Sequence, residues 1–110
     1  MKLIEIRICK TQNGKAPFAE WFNKLERTTR FKVSAALFRM EEGNFSDSKF
    51  VGKGVWERRI HSGPGYRIYF ARENDMIVIL LGGGSKRSQA LHIQRAQALW
   101  TFYRKSKSER

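Results

Sequence analysis

The spacing of apolar positions changes along the chain, and each change marks an element. LIEIRI, residues 3–8, alternates every second residue. That is the period of a half-buried strand, with Leu3 or Ile4, Ile6 and Ile8 supplying its apolar content. TQNGK reads as a turn. Pro17 then suits the first position of a helix, where its missing N–H costs nothing. Phe18, Trp21, Phe22 and Leu25 stand at i, i+3, i+4 and i+7, one apolar stripe. A second helix, with Thr28 or Thr29 as N-cap, carries Val33, Ala36, Leu37 and Met40, and Gly43 closes it. The two form a helical hairpin.

Residues 44–53 have no period and read as a loop. Three strands follow, at about 54–61, 66–72 and 76–82, separated by Ser62-Gly63-Pro64-Gly65 and by Glu73-Asn74-Asp75. MIVILL is apolar on both faces and is expected to be the most buried strand. GGGSKRS breaks the chain. A last helix, capped by Ser88, places Ile93, Ala96, Trp100 and Tyr103 on one side. The order strand-helix-helix-strand-strand-strand-helix predicts an α/β (α+β) fold: a mainly antiparallel sheet with helices covering one face and the other face open. Residues 1–104 make a single domain, and 105–110, KSKSER, a frayed basic tail.

Composition adds limits. With 110 residues and 41% apolar content the chain supports one modest core. It holds no run of 18 apolar residues, so no membrane span or membrane partner is expected. The first residues lack the apolar stretch of a signal peptide. Cys9 stands alone, which excludes a disulfide within the chain and makes the cytoplasm the plain location. Charge changes the picture most. Twenty-two Lys and Arg face ten Asp and Glu, a net +12. Such a chain attracts polyanions, because phosphate contacts release condensed counterions. Nucleic acid or an acidic protein is the expected partner.

The cations gather on GVWERRIHSGPGYRIYF, residues 54–70. Alternation puts Trp56, Arg58 and Ile60 on one face with Tyr66, Ile68 and Phe70, and Glu57, Arg59, His61, Arg67 and Tyr69 on the other. Setting His61 opposite Arg67, Ile60 opposite Ile68, Arg59 opposite Tyr69 and Glu57 opposite Ala71 keeps the two sets apart. Arg58 then falls among apolar residues and is expected to snorkel to the sheet edge. The polar face suits RNA cleavage by a 2′-hydroxyl attacking its own 3′ phosphate. Guanidinium groups pair with phosphate oxygens, a tyrosine can stack on a base, and an imidazole exchanges protons near neutral pH. That reaction needs no metal or other cofactor, and two histidines and one cysteine give no metal-ligand pattern. Such a row of charges also serves simply to keep a sheet soluble. GGGSKRSQ is not a Walker A sequence, but Lys86 and Arg87 stand one connection from the hairpin. Trp21, Trp56 and Trp100 each fit an apolar stripe and are expected in the core. His92 is expected at the surface.

W-E-R-R-I-H-x-G-P-G-Y-R-I-Y-F, then I-V-I-L-L-G-G-G-x-K-x-S-Q, then I-x-R-A, resembles the RelE/HigB-type toxins of bacterial type II toxin–antitoxin modules. More narrowly it is similar to the addiction-module killer proteins, the phage Gp49-like group, from about Asn44 to Ala98. The resemblance implies a RelE-like fold and a ribosome-dependent endoribonuclease, an mRNA interferase acting in the ribosomal A site beside ribosomal RNA. It also implies a cognate antitoxin, a small helix-turn-helix protein. By the same resemblance Arg59, His61, Arg67, Tyr69 and Lys86 are the catalytic candidates. Lys53, Arg58, Arg72 and Arg87 are expected to bind RNA. The acid and base stay open among His61, Glu57, Tyr69 and Lys86. The chain departs from the pattern at Arg58, usually apolar, at Ser85, usually acidic, and at His92, commonly acidic. The rival readings are a ParE-like inhibitor of DNA gyrase on a similar fold, and a ribosome- or RNA-binding module that does not cut.

Overall fold

A computed structural model of the chain describes residues 3–109. Met1, Lys2 and Arg110, at the limits of the expected domain and tail, lie outside the described residues. The elements are β1 (Glu5–Ile8), α1 (Pro17–Asn23), α2 (Arg27–Glu41), β2 (Ser48–Gly52), β3 (Val55–Ile60), β4 (Tyr66–Asn74), β5 (Ile77–Gly84), a 3-10 turn (Lys86–Ser88) and α3 (Gln89–Ser108). One five-stranded sheet has the order β1-β5-β4-β3-β2. β2 to β5 form an antiparallel meander, and β1 joins β5 in parallel. The α+β class read from the sequence holds.

Local chemistry accounts for the boundaries. Pro17 opens α1. α2 starts after Glu26 rather than at a threonine cap; the Thr29 hydroxyl donates to Glu26 Oε1 at 3.4 Å from inside the first turn. Gly43, at φ +89°, donates its N–H to Met40 O and closes α2 as expected. Residues 44–53, expected as loop, contain β2. Its hairpin with β3 turns on Lys53 and Gly54, both at positive φ (53° and 82°), which a two-residue hairpin turn of matching twist demands. α3 runs past the expected limit at 104 to Ser108, where Lys107 pairs with Glu73 at the end of β4.

The sheet is covered on both faces. Phe18 of α1 and Val33, Ala36 and Met40 of α2 bury Ile60, Ile68, Phe70, Val78 and Leu80. The intervening residues Val55, Tyr69, Ala71, Ile79 and Leu81 point the other way, under Ala96, Leu99 and Trp100 of α3. The one-sided cover expected for the sheet is therefore corrected. α3 takes the second face because β4 and β5 are apolar on both. Ile93, Ala96, Trp100 and Tyr103 all belong to that second layer, as their spacing predicted. Two glycines set how close the helices come. A Cβ on Gly83 would lie 2.2 Å from the Trp21 ring, and one on Gly84 would lie 2.4 Å from His92 Nδ1. No helix among the described residues is long and apolar enough to cross a membrane.

Candidate functional site

α3 covers only part of its face. The end of the sheet around the β3–β4 turn stays open beside the start of α3. There the hairpin register differs from the expected one by two residues. Ile60 pairs with Tyr66, Arg59 with Arg67, Arg58 with Ile68 and Glu57 with Tyr69. Tyr66 sits a step earlier because its ring packs edge-on against Trp21, centroids 6.1 Å apart. The loop of residues 61–65 closes with the Gly65 N–H donating to Ser62 O, and Gly63 and Gly65 take positive φ. A shift of two keeps every side chain on its predicted face. Glu57, Arg59, Arg67 and Tyr69 do share one face.

Their exposures divide them. Arg59 is exposed, and among the described residues its side chain makes no hydrogen bond or ion pair. Arg67 is 6% exposed and donates from Nη1 to Gly65 O at 2.7 Å, with Nε 3.4 Å from Glu57 Oε1. Glu57 is buried, and its Oε1 also accepts from Tyr69 Oη at 3.0 Å and from Gln89 Nε2 at 2.8 Å. Tyr69 is fully buried beneath α3, so the base-stacking role expected for it does not hold. Burial, then the neighbouring Glu57 charge and its hydrogen bond, push the phenol pKa well above 10. Tyr69 therefore stays a proton donor to Glu57 and, with Gln89, fixes the carboxylate that faces Arg67. Gln89 stood in the quoted motif without a role. Its fixed distance from the hairpin appears only once α3 is seen to cross that face.

Lys86 joins this corner. A Cβ on Gly65 would lie 3.4 Å from Arg67 Nη1 and 3.5 Å from Lys86 Cβ. Arg59, Arg67 and Lys86 thus meet where α3 begins, a helix end that itself favours anions. Like charges directly opposite in a ladder destabilise it. The Arg59–Arg67 pair, with its one carboxylate buried behind it, is poised for an anion from outside. Arg87 is exposed on the same 3-10 turn as Lys86.

The other candidates lie elsewhere. His61 stands just past β3, exposed, with Nε2 3.4 Å from Asp47 Oδ2 and its carbonyl accepting from Lys32 Nζ, toward α2. Arg58 does not snorkel outward. β2 forms beyond it, pairing Ser48 with Arg58, so the residue is interior and 3% exposed. Lys53 occupies the β2–β3 turn. Arg72 faces the α1–α2 layer, its guanidinium 4.5 Å over the Phe45 ring. Neither Lys53 nor Arg72 joins the arginine pair. Trp56, expected in the core, is 36% exposed and meets Phe50 edge-on across β2 and β3. His92, expected at the surface, packs on Gly84 with a buried, unpartnered Nδ1. Among the described residues no group of three or more His, Cys, Asp or Glu could hold a metal ion.

The family model described as "Phage derived protein Gp49-like (DUF891)" matches residues 20–100, which take in the hairpin, Lys86 and most of α3. A protein of Haemophilus influenzae described as uncharacterized is 41% identical over 83 residues, 74% of this chain and 84% of that one. The family match spans the elements that build the arginine corner, and the chain belongs to the phage-derived Gp49-like family.

Proposed function

We propose that the chain is the toxin of a type II toxin–antitoxin module, of RelE/HigB type, and cleaves mRNA on the ribosome. Membership in a toxin-like family supports the first part. One observation carries the second: Arg59 and Arg67 stand opposite one another beside Lys86, with the carboxylate behind them buried and turned to holding Arg67. Three cations at one open corner suit a phosphate that gains charge in a transition state. Arg67, fixed by Glu57 and Gly65 O, aims at the non-bridging oxygens. Arg59 is free to close on them. The 2′-hydroxyl gives up its proton as it attacks the adjacent phosphorus, the bond to the 5′-oxygen breaks and that oxygen takes up a proton, and Lys86, the side chain of the corner able to exchange one, serves these transfers. Glu57 and Tyr69 act through Arg67 and do not touch the RNA. The message is met in the ribosomal A site, in the cytoplasm, and an antitoxin, a small helix-turn-helix protein, restrains the activity.

The test is mapping of mRNA 5′ ends by primer extension, after pulse induction in cells and in a translation extract with and without ribosomes. Wild type is expected to cut within codons only when ribosomes are present. Arg59→Ala, at an exposed site, is expected to fold normally and lose about 10²–10³ in rate. Growth arrest with intact messages would refute cleavage. DNA damage signalling would then point to gyrase, and its absence to a module that blocks ribosomes without cutting.

A further inference from the structure

A second cationic feature lies outside that corner, in a groove between α2 and the β2–β3 edge. Its volume is about 280 Å³, near the lower end for small-ligand clefts. Lys32 and Arg39 line it from α2, Arg58 and His61 from β3 and the residue after it, and Asp47 from the approach to β2. Phe31 stands at the rim, 75% exposed. Arg59 also reaches this groove, so it borders both features.

Arg58 is the residue that calls for an explanation. A buried cation is costly unless it is paired. Arg58 donates from Nη1 to Asn44 O at 2.8 Å, a neutral acceptor, and no carboxylate among the described residues forms an ion pair with it. Burial pulls its pKa down and Arg39 pulls the same way, while Asp47 opposes them. Asp47 is the one acidic side chain lining the groove, and it is within ion-pair distance of His61 instead. The pattern this chain resembles has an apolar residue where Arg58 stands. An arginine there adds a desolvated cation to a groove already lined by Lys32 and Arg39. That arrangement is unfavourable for the free protein and favourable for one holding an anion.

We propose that this groove is a second phosphate-binding site, which takes a backbone phosphate of the same RNA strand that the Arg59–Arg67 corner receives. The inference rests on the RNA reading given above. Arg58 and Arg39 hold the phosphate, Lys32 adds charge at the mouth, and the Phe31 ring offers a face on which the adjoining base stacks. The exposed Phe31 ring beside the lining cations favours a nucleotide over an acidic peptide. Arg59, bordering both sites, makes the path between them continuous around the sheet edge.

Fluorescence anisotropy with a 5′-fluorescein, 2′-O-methyl RNA dodecamer, which cannot undergo 2′-attack, tests this across a salt series. For a single strand, every phosphate that the protein ceases to neutralise lowers the slope of log K against log salt by about 0.7. Arg39→Ala, at an exposed helix position, and Arg58→Leu, which restores an apolar residue, are each expected to lower the slope by about that amount. Lys10→Ala, outside the groove lining and the arginine corner, is expected to leave it unchanged. Phe31→Ala is expected to weaken binding with no change in slope. An unchanged slope in Arg39→Ala, or an equal drop in Lys10→Ala, would overturn the second site. If binding responds to Arg67→Ala but to neither groove variant, the second site alone fails. If the wild type does not bind the dodecamer at all, the second site fails, while the RNA reading stands or falls on the 5′-end mapping with ribosomes. Competition by a poly-glutamate peptide that disappears in Arg39→Ala, with RNA binding unaffected there, would overturn the site in favour of an acidic protein partner.

Discussion

Replacing Glu57 with leucine tests how Arg67 is held. The substitution deletes the acceptor of the Tyr69 hydroxyl and of the Gln89 amide, and removes the carboxylate 3.4 Å from Arg67 Nε. Arg67 would remain 6% exposed with the Gly65 carbonyl as its hydrogen-bond partner. Breaking a buried ion pair by removing one member costs about 3–5 kcal/mol, because the other charge stays desolvated. That is a large share of the 5–15 kcal/mol that typically separates folded from unfolded domains. At roughly 2.1 cal/mol/K per residue, a chain of 110 residues unfolds with an entropy near 0.23 kcal/mol/K, so Tm is expected to fall by about 13–22 °C. Removing both charges takes away both desolvation costs, and Glu57→Leu/Arg67→Met is expected to recover most of the loss. Urea denaturation followed by tryptophan fluorescence measures all four members of the cycle. If the double variant is destabilised by the sum of the singles to within about 0.5 kcal/mol, the two side chains are uncoupled and the account of Arg67 is wrong.

Three further outcomes follow from other parts of the fold. Gly83→Ala would set a methyl 2.2 Å from the Trp21 ring and is expected to cost about 1–3 kcal/mol, whereas Gly82→Ala, with nothing within 4 Å, is expected to be near neutral; equal urea midpoints for the two would contradict the close approach of α1 to β5. Glu73 has its pKa lowered below 4.5, first by the Lys107 hydrogen bond and then by that of Tyr103, so its contribution is present above 4.5 and is lost as pH falls through the folded value. The gap in urea stability between wild type and Glu73→Gln is therefore expected to shrink between neutral pH and pH 3, and a constant gap would refute the pairing. Cys9 is buried, which raises its thiol pKa to about 11, so native protein at pH 8 is expected to react with maleimide only as fast as it opens, and labelling at the rate of a free thiol would show the site to be exposed.

The helices were legible because each carries an uninterrupted stripe. The 3.6-residue period of Phe18–Leu25, Val33–Met40 and Ile93–Tyr103 reports the face that packs, whatever it packs on. β2 was not legible. SKFVG has two apolar residues side by side rather than alternating, and an edge strand owes its conformation to its neighbour, here β3. The second helical layer was written in MIVILL, whose apolar content on both faces asks for cover on both; the sequence does not say which helix supplies it. The arginine corner was legible as a face, since strand parity survives a two-residue error in register. What parity cannot show is depth. Arg59 and Tyr69 share a face, and the path of α3 leaves one exposed and buries the other.

The parallel pairing of β1 with β5 bears on how the chain folds. Glu5 lies opposite Ile77, so the first strand must wait for one 72 residues later in the chain. The meander β2–β5 can assemble from short hairpins, but seating β1 closes a long loop and is paid for in chain entropy. Until that happens, the outer edge of β5, the most apolar strand, offers unpaired N–H and C=O groups to any strand nearby. The interval before β1 docks is therefore when the protein is most prone to aggregate, and a solvent-side charge on β1 that slowed docking would lengthen it without touching the arginine corner.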